Sequence, residues 1–397
     1  MTATLWIARD EGGVDPETRL LGLTLLRRAE LVGKRAGFER VVVEDARGST
    51  GQAPPLRHDG EEIRAGRLVV LSSSVVPEKK WLRELREMPL EPGTVEVDPG
   101  CAAVLETDRP EDVVSALLSR GKQKATETVA RLSSGPPGTL SSDDRFVIGE
   151  PGDLRKAERW LLSGLIKDSE GFMSRHVERK ISLAISRRLA STSVTPNQMT
   201  LISVAIGIFG AALFLSPVRW VPFVGSLLVL AHSILDGCDG ELARLKLRES
   251  RLGGVLDFWG DNVVHSALFA AISIAWAREI GRAWPLLLGA SAVAGTLLSA
   301  GLVFRRTMTA AKEGPLYTGV TTGTDSAFAR VAEALAGRDF LYLVVILSAL
   351  GLQRWFLALA AAGSPVYFLL LAVLSRRGRR ESPAAGAVHN LEKQETS

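Results

Sequence analysis

The stretch "DGCDGELARLKLRESRLGGVLDFWGD", residues 236–261, decides how this chain is read. It carries Asp236, Asp239, Asp257 and Asp261, and apolar sequence flanks it: "VPFVGSLLVLAHSIL" (221–235) before and "NVVHSALFAAISIAWA" (262–277) after. Acidic residues at membrane depth are costly and are usually retained for function. Asp236 and Asp239 stand at i and i+3, Asp257 and Asp261 at i and i+4, so each pair shares one helix face. Gly237, Gly240 and Ala243 are small enough to admit a neighbouring helix or a ligand. Gly253 lies one turn before Asp257, and Arg244 falls within the same constellation.

Four converging carboxylates repel one another unless cations separate them. Oxygen-only ligands favour Mg²⁺, Mn²⁺ or Ca²⁺ over zinc. Hard cations on carboxylates beside an arginine suit a pyrophosphate substrate, and one carboxylate can take a proton from an attacking hydroxyl. Four solvated aspartates in a loop would not share helix faces. A membrane ion transporter, or a non-catalytic membrane scaffold that binds cations, is the competing reading. It calls for acids near the bilayer midplane on broken helices, whereas these acids cluster at one edge.

Working outward, the two halves of the 397 residues differ. Residues 1 to about 195 are mixed and charged; residues 197–375 hold long apolar runs separated by short basic stretches. The runs at 199–218, 221–235, about 254–277, 284–304, 340–353 and 355–375 predict six membrane helices. Arginines and lysines concentrate on alternate connections, which places both termini in the cytoplasm of an inner-membrane protein and the aspartates at its cytoplasmic face. Before the first span, "GFMSRHVERKISLAISRRLAS" sets Phe172, Val177, Ile181, Ala184, Ile185 and Leu189 at helical spacing among Arg175, Arg179, Lys180 and Arg187. That pattern predicts a basic amphipathic helix on the membrane surface. Net charge is only +4, so no nucleic-acid partner is implied, and Cys101 and Cys238 make neither a disulfide framework nor a zinc site. The start "MTATLWIARDEGG" has no cleavable-signal pattern.

Residues 1–150 alternate strand and helix patterns, as an α/β domain does. "TLWIA", "FERVVVED", "RLVVLSSS", "TVEVD" and "AAVLETD" read as strands. "LLGLTLLRRAELVGKRAG", "EKKWLREL" and "PEDVVSALLSRG" read as helices, the first stopping at Gly37. "SSGPPGTLSSDD" (133–144) reads as a hinge, and "PGDLRKAERWLLSGLI" as a last helix. The expected organisation is a soluble domain (1–150), connecting and juxtamembrane helices (151–196), a six-helix membrane domain (197–380) and a disordered tail (381–397).

The central stretch resembles the signature D-x-x-D-G-x-x-A-R-(x8)-G-x-x-x-D-x-x-x-D of the CDP-alcohol phosphatidyltransferase family, and Asp236, Asp239, Gly240, Ala243, Arg244, Gly253, Asp257 and Asp261 fit it without departure. The resemblance implies a homodimeric membrane enzyme that displaces CMP from a CDP-alcohol with the hydroxyl of a second alcohol. It implies that the four aspartates hold two Mg²⁺ or Mn²⁺ ions and that Asp261 is also the general base. Gly240, Ala243, Arg244, Gly253 and Ser250 would line the CDP site with Asp236 and Asp239. Asn197 and Thr200, in "TPNQMT" (195–200), resemble the family's entry to the first helix and would touch the nucleotide. Arg305, Arg306 and Arg338 are candidates for binding a phosphorylated acceptor. His265, one turn beyond Asp261, reads as a polar packing residue.

"FVIGEPGDLRKAERWLLSGLIKDSEGFMSRHVERKISLAIS" resembles the junction in bifunctional inositol-phosphate cytidylyltransferase/di-inositol-phosphate-phosphate synthases, whose soluble nucleotidyltransferase domain makes the CDP-alcohol. The soluble half departs from that pattern. Its first loop, "ARDEGGVDPETRLL", puts acids where phosphates would sit, and Ser72, Ser73 and Ser74 stand where a metal-binding Asp is expected. A degenerate nucleotidyltransferase-like domain without cytidylyltransferase activity is therefore expected.

Overall fold

The computed structural model describes residues 2–10, 14–44, 65–90, 93–121, 123–132, 138–140, 144–166, 178–310 and 340–381, without the side chains of 138–139, 307–310 and 375–381. Arg338, Phe172, Val177, most of the expected hinge and residues 382–397 lie outside the described residues. The chain divides into two compact units: Met1–Leu165 with the short pieces Ala190–Thr192 and Leu245–Leu247, and the remainder.

The first unit is built on a six-stranded sheet. Its strands are β1 (Ala3–Ala8), β4 (Arg40–Val43), β5 (Gly66–Ser72), β7 (Val95–Asp98), β8 (Ala102–Thr107) and β9 (Gly138–Thr139), in the order β4-β1-β5-β8-β7-β9. β1 runs parallel to β4 and β5, while β8 is antiparallel to both β5 and β7. The apolar strand runs are covered on both faces. Leu5, Ile7, Val69, Leu71 and Val104 enter one core, and Trp6, Ala8, Leu68, Val70 and Leu105 the other. This is the period-2 alternation of a strand buried on both sides. Helices α1 (Leu25–Ala36) and α2 (Lys79–Glu87) cover the first face; α3 (Pro110–Ser119) and α4 (Ala125–Ala130) cover the second.

The predicted first helix begins later than its apolar pattern. Leu21 and Gly22, with φ of 50° and 85°, turn a small hairpin between β2 (Arg19–Leu20) and β3 (Leu23–Thr24). Thr24 then caps α1 by accepting the Arg27 N–H, and Gly37 (φ 87°) ends it with its N–H on the Gly33 and Lys34 carbonyls. At the carboxyl ends of β1, β4 and β5 the chain satisfies its own polar groups. Glu44 accepts both arms of Arg120 (3.0 and 2.7 Å) and the Arg9 N–H (3.0 Å). Asp10 accepts the Ala125 N–H at the start of α4, and the Ser72 and Ser74 hydroxyls share a hydrogen bond of 2.8 Å. A further two-stranded sheet pairs β6 (Val75–Pro77) with β10 (Arg145–Val147), and α5 (Leu154–Ser163) packs Ala157 beside Val76 and Ile148.

The second unit is helical. α6 (Arg179–Ala190) is followed by α7 (Pro196–Leu213), α8 (Val221–Leu245), α9 (Arg251–Ile280) and α10 (Trp284–Ala310), and then by α11 (Phe340–Ala349) and α12 (Gln353–Glu381). Among the described residues, α7 to α10 and α12 are the five helices long and apolar enough to cross a membrane; α11, where the fifth span was expected, has ten described residues. Thr195 and Gln198 form a capping box at the start of α7, with Pro196 in its first turn. Phe214, Val229, Val264, Leu268, Ala292, Val344 and Phe356 make the shared core. Phe209, Leu287, Leu298, Trp355 and Leu369 point outward, as lipid-facing positions do.

α6 packs by its polar stripe rather than its apolar one. Ser182 and Ser186 are buried, while Ile181 is exposed. The Ser182 hydroxyl (2.6 Å) and Arg179 Nη1 (2.7 Å) both donate to Glu241 Oε1 of α8, and the Ser186 hydroxyl donates to the Cys238 carbonyl at 3.4 Å.

Candidate active site

α8 is continuous through residue 245 and α9 begins at residue 251, so the aspartates stand on two uninterrupted helices. Ser250 starts α9 by accepting the Gly253 N–H at 3.0 Å. The hydroxyl expected near the nucleotide also caps this helix. Asp236, Asp239 and Asp257 converge, each offering an oxygen within 4.8 Å of the others. Asp236 and Asp239 are 2% and 5% exposed, and the Thr200 hydroxyl of α7 donates to Asp239. Asp261 is 28% exposed, and its Oδ1 lies 3.3 Å from Nε2 of His232.

The small residues have distinct uses. A Cβ on Gly240 would meet nothing nearer than the Arg244 guanidinium, at 3.9 Å, so that face is open beside the carboxylates. A Cβ on Gly253 would stand 3.0 Å from Asn197 Oδ1, which brings the starts of α7 and α9 together. One on Gly260 would stand 2.6 Å from Val204, so this glycine seats α9 on α7. Gly237 faces α6, where a Cβ would meet Arg179 and Ser182 at ordinary distances. Ala243 and Arg244 are half-buried on the same helix. Arg305 is exposed and Arg306 half-buried near the end of α10, and the His265 ring packs edge-on against Phe340.

The residues fit a divalent cation. Three carboxylates from two helices within 4.8 Å form an oxygen-only, strongly anionic donor set. Carboxylate oxygens suit a hard cation, and three close anions in a low-dielectric interior need positive charge to coexist. Two participants escape the sequence pattern. Glu241 lies inside the motif but turns to the opposite side of α8, toward α6. His232 sits in the apolar run one turn before Asp236, and an ionisable residue in such a run was its signal.

The fold and the cluster together define a bundle of helices apolar enough to cross a membrane, with converging carboxylates that could hold a hard cation. Residues 193–364 match the model of the CDP-alcohol phosphatidyltransferase family. The chain is 44% identical over 128 residues to the bifunctional IPC transferase and DIPP synthase of Archaeoglobus fulgidus, covering 32% of this chain and 25% of that protein. It is 40% identical over 133 residues to the protein of the same name from Thermococcus kodakarensis, covering 33% and 30%. A phosphatidylinositol phosphate synthase from Mycobacteroides abscessus is 33% identical over 107 residues, covering 27% and 47%. The matched region thus spans less than half the length of each of these relatives. Among solved structures, the Mycobacterium tuberculosis phosphatidylinositol phosphate synthase with CDP-DAG bound aligns with 48% of this chain and 93% of its own, at 22% identity and a TM-score of 0.34.

Proposed function

We propose that the chain is a metal-dependent CDP-alcohol phosphotransferase of the cytoplasmic membrane. It transfers a phospho-alcohol group, of phosphatidyl or inositol-phosphate type, from a CDP-alcohol to an acceptor alcohol and releases CMP. The observation that carries the reading is the convergence of Asp236, Asp239 and Asp257 from α8 and α9, inside the family-matched region. These three, with Asp261, would hold two Mg²⁺ or Mn²⁺ ions. Such ions, when bound, neutralise a pyrophosphate and make its phosphorus more electrophilic.

The chain's own groups divide the remaining work. Arg244, Gly240, Ala243, Ser250, Gly253, Asn197 and Thr200 shape the CDP site with Asp236 and Asp239, the glycines leaving room and Arg244 supplying charge. Asp261, whose side chain is 28% exposed, takes the proton from the acceptor hydroxyl. The acceptor oxygen bonds to the β-phosphorus as the bond to CMP breaks. Arg305, Arg306 and Arg338 are the proposed acceptor-phosphate ligands. Six spans, cytoplasmic termini, a homodimer and the division at residues 150, 196 and 380 complete the reading. The exposed apolar side of α6 supports its place at the membrane surface.

The soluble unit is proposed to be a nucleotidyltransferase-like scaffold without cytidylyltransferase activity. Glu44 is taken by Arg120, Asp10 by the Ala125 N–H, and the Ser72 and Ser74 hydroxyls by each other, at strand ends where a parallel sheet would receive a ligand. CMP release by the purified protein in detergent with Mg²⁺ tests the main reading, with CDP-diacylglycerol or CDP-inositol supplied against a panel of alcohols and alcohol phosphates. Release that needs one donor–acceptor pair supports it; release from no pair refutes it.

A further inference from the structure

We propose that His232 is a positioning residue for Asp261, a role that rests on reading Asp261 as the base. His232 is 1% exposed in the apolar part of α8, and it stands one turn before Asp236. An imidazole is costly to bury in a membrane helix unless its polar atoms do something there. Its Nε2 lies 3.3 Å from Asp261 Oδ1, and among the described residues neither ring nitrogen makes a hydrogen bond, so the imidazole is buried with its polar atoms unspent. The carboxylate of the neighbouring helix is thus within reach of the ring, at a distance a small turn of the imidazole converts into a hydrogen bond.

A third helix is shaped to admit it. A Cβ on Gly207 of α7 would stand 2.9 Å from His232 Cγ and 2.7 Å from Val264 Cγ1. Real Cβ contacts do not come that close, so a glycine there is what lets α7 pass over the ring. His232, Gly207 and Asp261 thus come from three helices to one place, which packing alone would fill with an apolar side chain.

The physical use follows from what Asp261 must do. Asp261 has several χ1 and χ2 rotamers open to an aspartate in principle, and only some point an oxygen at an acceptor hydroxyl. A small turn of the imidazole that lets Nε2–H donate to Oδ1 would select among them. Orientation of this kind lowers the barrier without adding to ground-state binding. The role needs a neutral donor at the Nε2 position and nothing else from the ring.

The test compares His232→Phe, which keeps the ring volume and loses the donor, with His232→Gln, whose amide nitrogen falls near Nε2. In the CMP-release assay, the Phe variant should lose about ten- to a hundredfold in kcat, with KM for the CDP-alcohol within about twofold. The Gln variant should recover most of the loss, and Gly207→Ala should lower kcat with His232 intact. Equal kcat in the Phe variant and wild type would overturn the proposal. So would an equal loss in Phe and Gln, or a loss confined to KM. If the Phe variant does not fold, the Gln and Gly207→Ala pair decides. Spectra of ¹⁵N-histidine protein provide a readout independent of turnover. Among the five histidines, the signal lost in His232→Gln should show the neutral Nε2–H tautomer and should move in Asp261→Ala. An unmoved signal overturns the contact. Wild-type protein that turns over no donor–acceptor pair refutes the enzyme reading, while the spectra still decide the contact.

Discussion

Replacing Arg179 by leucine should release α6 from α8. Glu241 is fully buried, and its Oε1 accepts from Arg179 Nη1 at 2.7 Å and from the Ser182 hydroxyl at 2.6 Å. Removing one partner of a buried ion pair costs about 3–5 kcal/mol, because the remaining charge stays desolvated. Ser182 still donates in the variant, and the Arg179 side chain is 17% exposed, so the lower end applies. About 3 kcal/mol, at roughly 1.4 kcal/mol per decade, shifts a local opening equilibrium by about a hundredfold. Hydrogen–deuterium exchange in detergent micelles reads this directly. Amides of 180–189 should exchange about a hundredfold faster, while those of α9 keep their protection. The double variant Arg179→Leu/Glu241→Gln removes the orphaned charge and should regain much of the protection. Unchanged protection of α6 in the single variant would refute the reasoning, and so would a double variant no better than the single.

Asp261→Asn should abolish CMP release and leave CDP-alcohol binding within a few fold, whereas Asp236→Asn should weaken both; wild-type turnover in either would overturn the assigned roles. Chelation of divalent ions should stop CMP release, and Mg²⁺ or Mn²⁺ should restore it; activity that survives exhaustive chelation would remove the carboxylate cluster from the chemistry. Gly260→Val should destabilise the protein by about 1–3 kcal/mol, because even a Cβ there would stand 2.6 Å from Val204; an unchanged melting temperature in detergent would refute that packing. With CTP, Mg²⁺ and inositol phosphate, the full chain should release no pyrophosphate, and steady release would restore a catalytic role to the soluble unit.

Five of the six strands of the main sheet are legible because their apolar residues alternate or run together in lengths of four to seven, and a sheet covered on both faces accepts either pattern; β9 and the strands of the two small sheets, two or three residues each, are too short for one. The first helix of the N-terminal unit starts later than its apolar pattern indicates. "LLGLTLL" is apolar throughout, so periodicity cannot separate a hairpin from a helical turn. The Leu21–Gly22 turn and the Thr24 cap decide it. α4 escaped the reading because six residues hold too few periods for a pattern. In the membrane half, apolar length gave five of the six expected spans directly. The run at 340–353 is broken by Gln353, and α11 closes at Ala349.

The sequence by itself determined the carboxylate motif, because helical spacing depends only on residue number: i, i+3 and i, i+4 share a face on any helix. It also determined which runs are apolar enough to cross a bilayer, a property of composition. Only the tertiary structure decided what those faces meet. It brought Asp236, Asp239 and Asp257 together, turned Asp261 toward His232, and sent Glu241 to α6 instead of the carboxylate centre. It assigned Gly207 and Gly260 to helix crossings and left Gly240 open beside the carboxylates. Such partners lie tens of residues apart, and their meeting is set by which helices cross and how closely. Those are properties of packed volumes, and no local spacing encodes them.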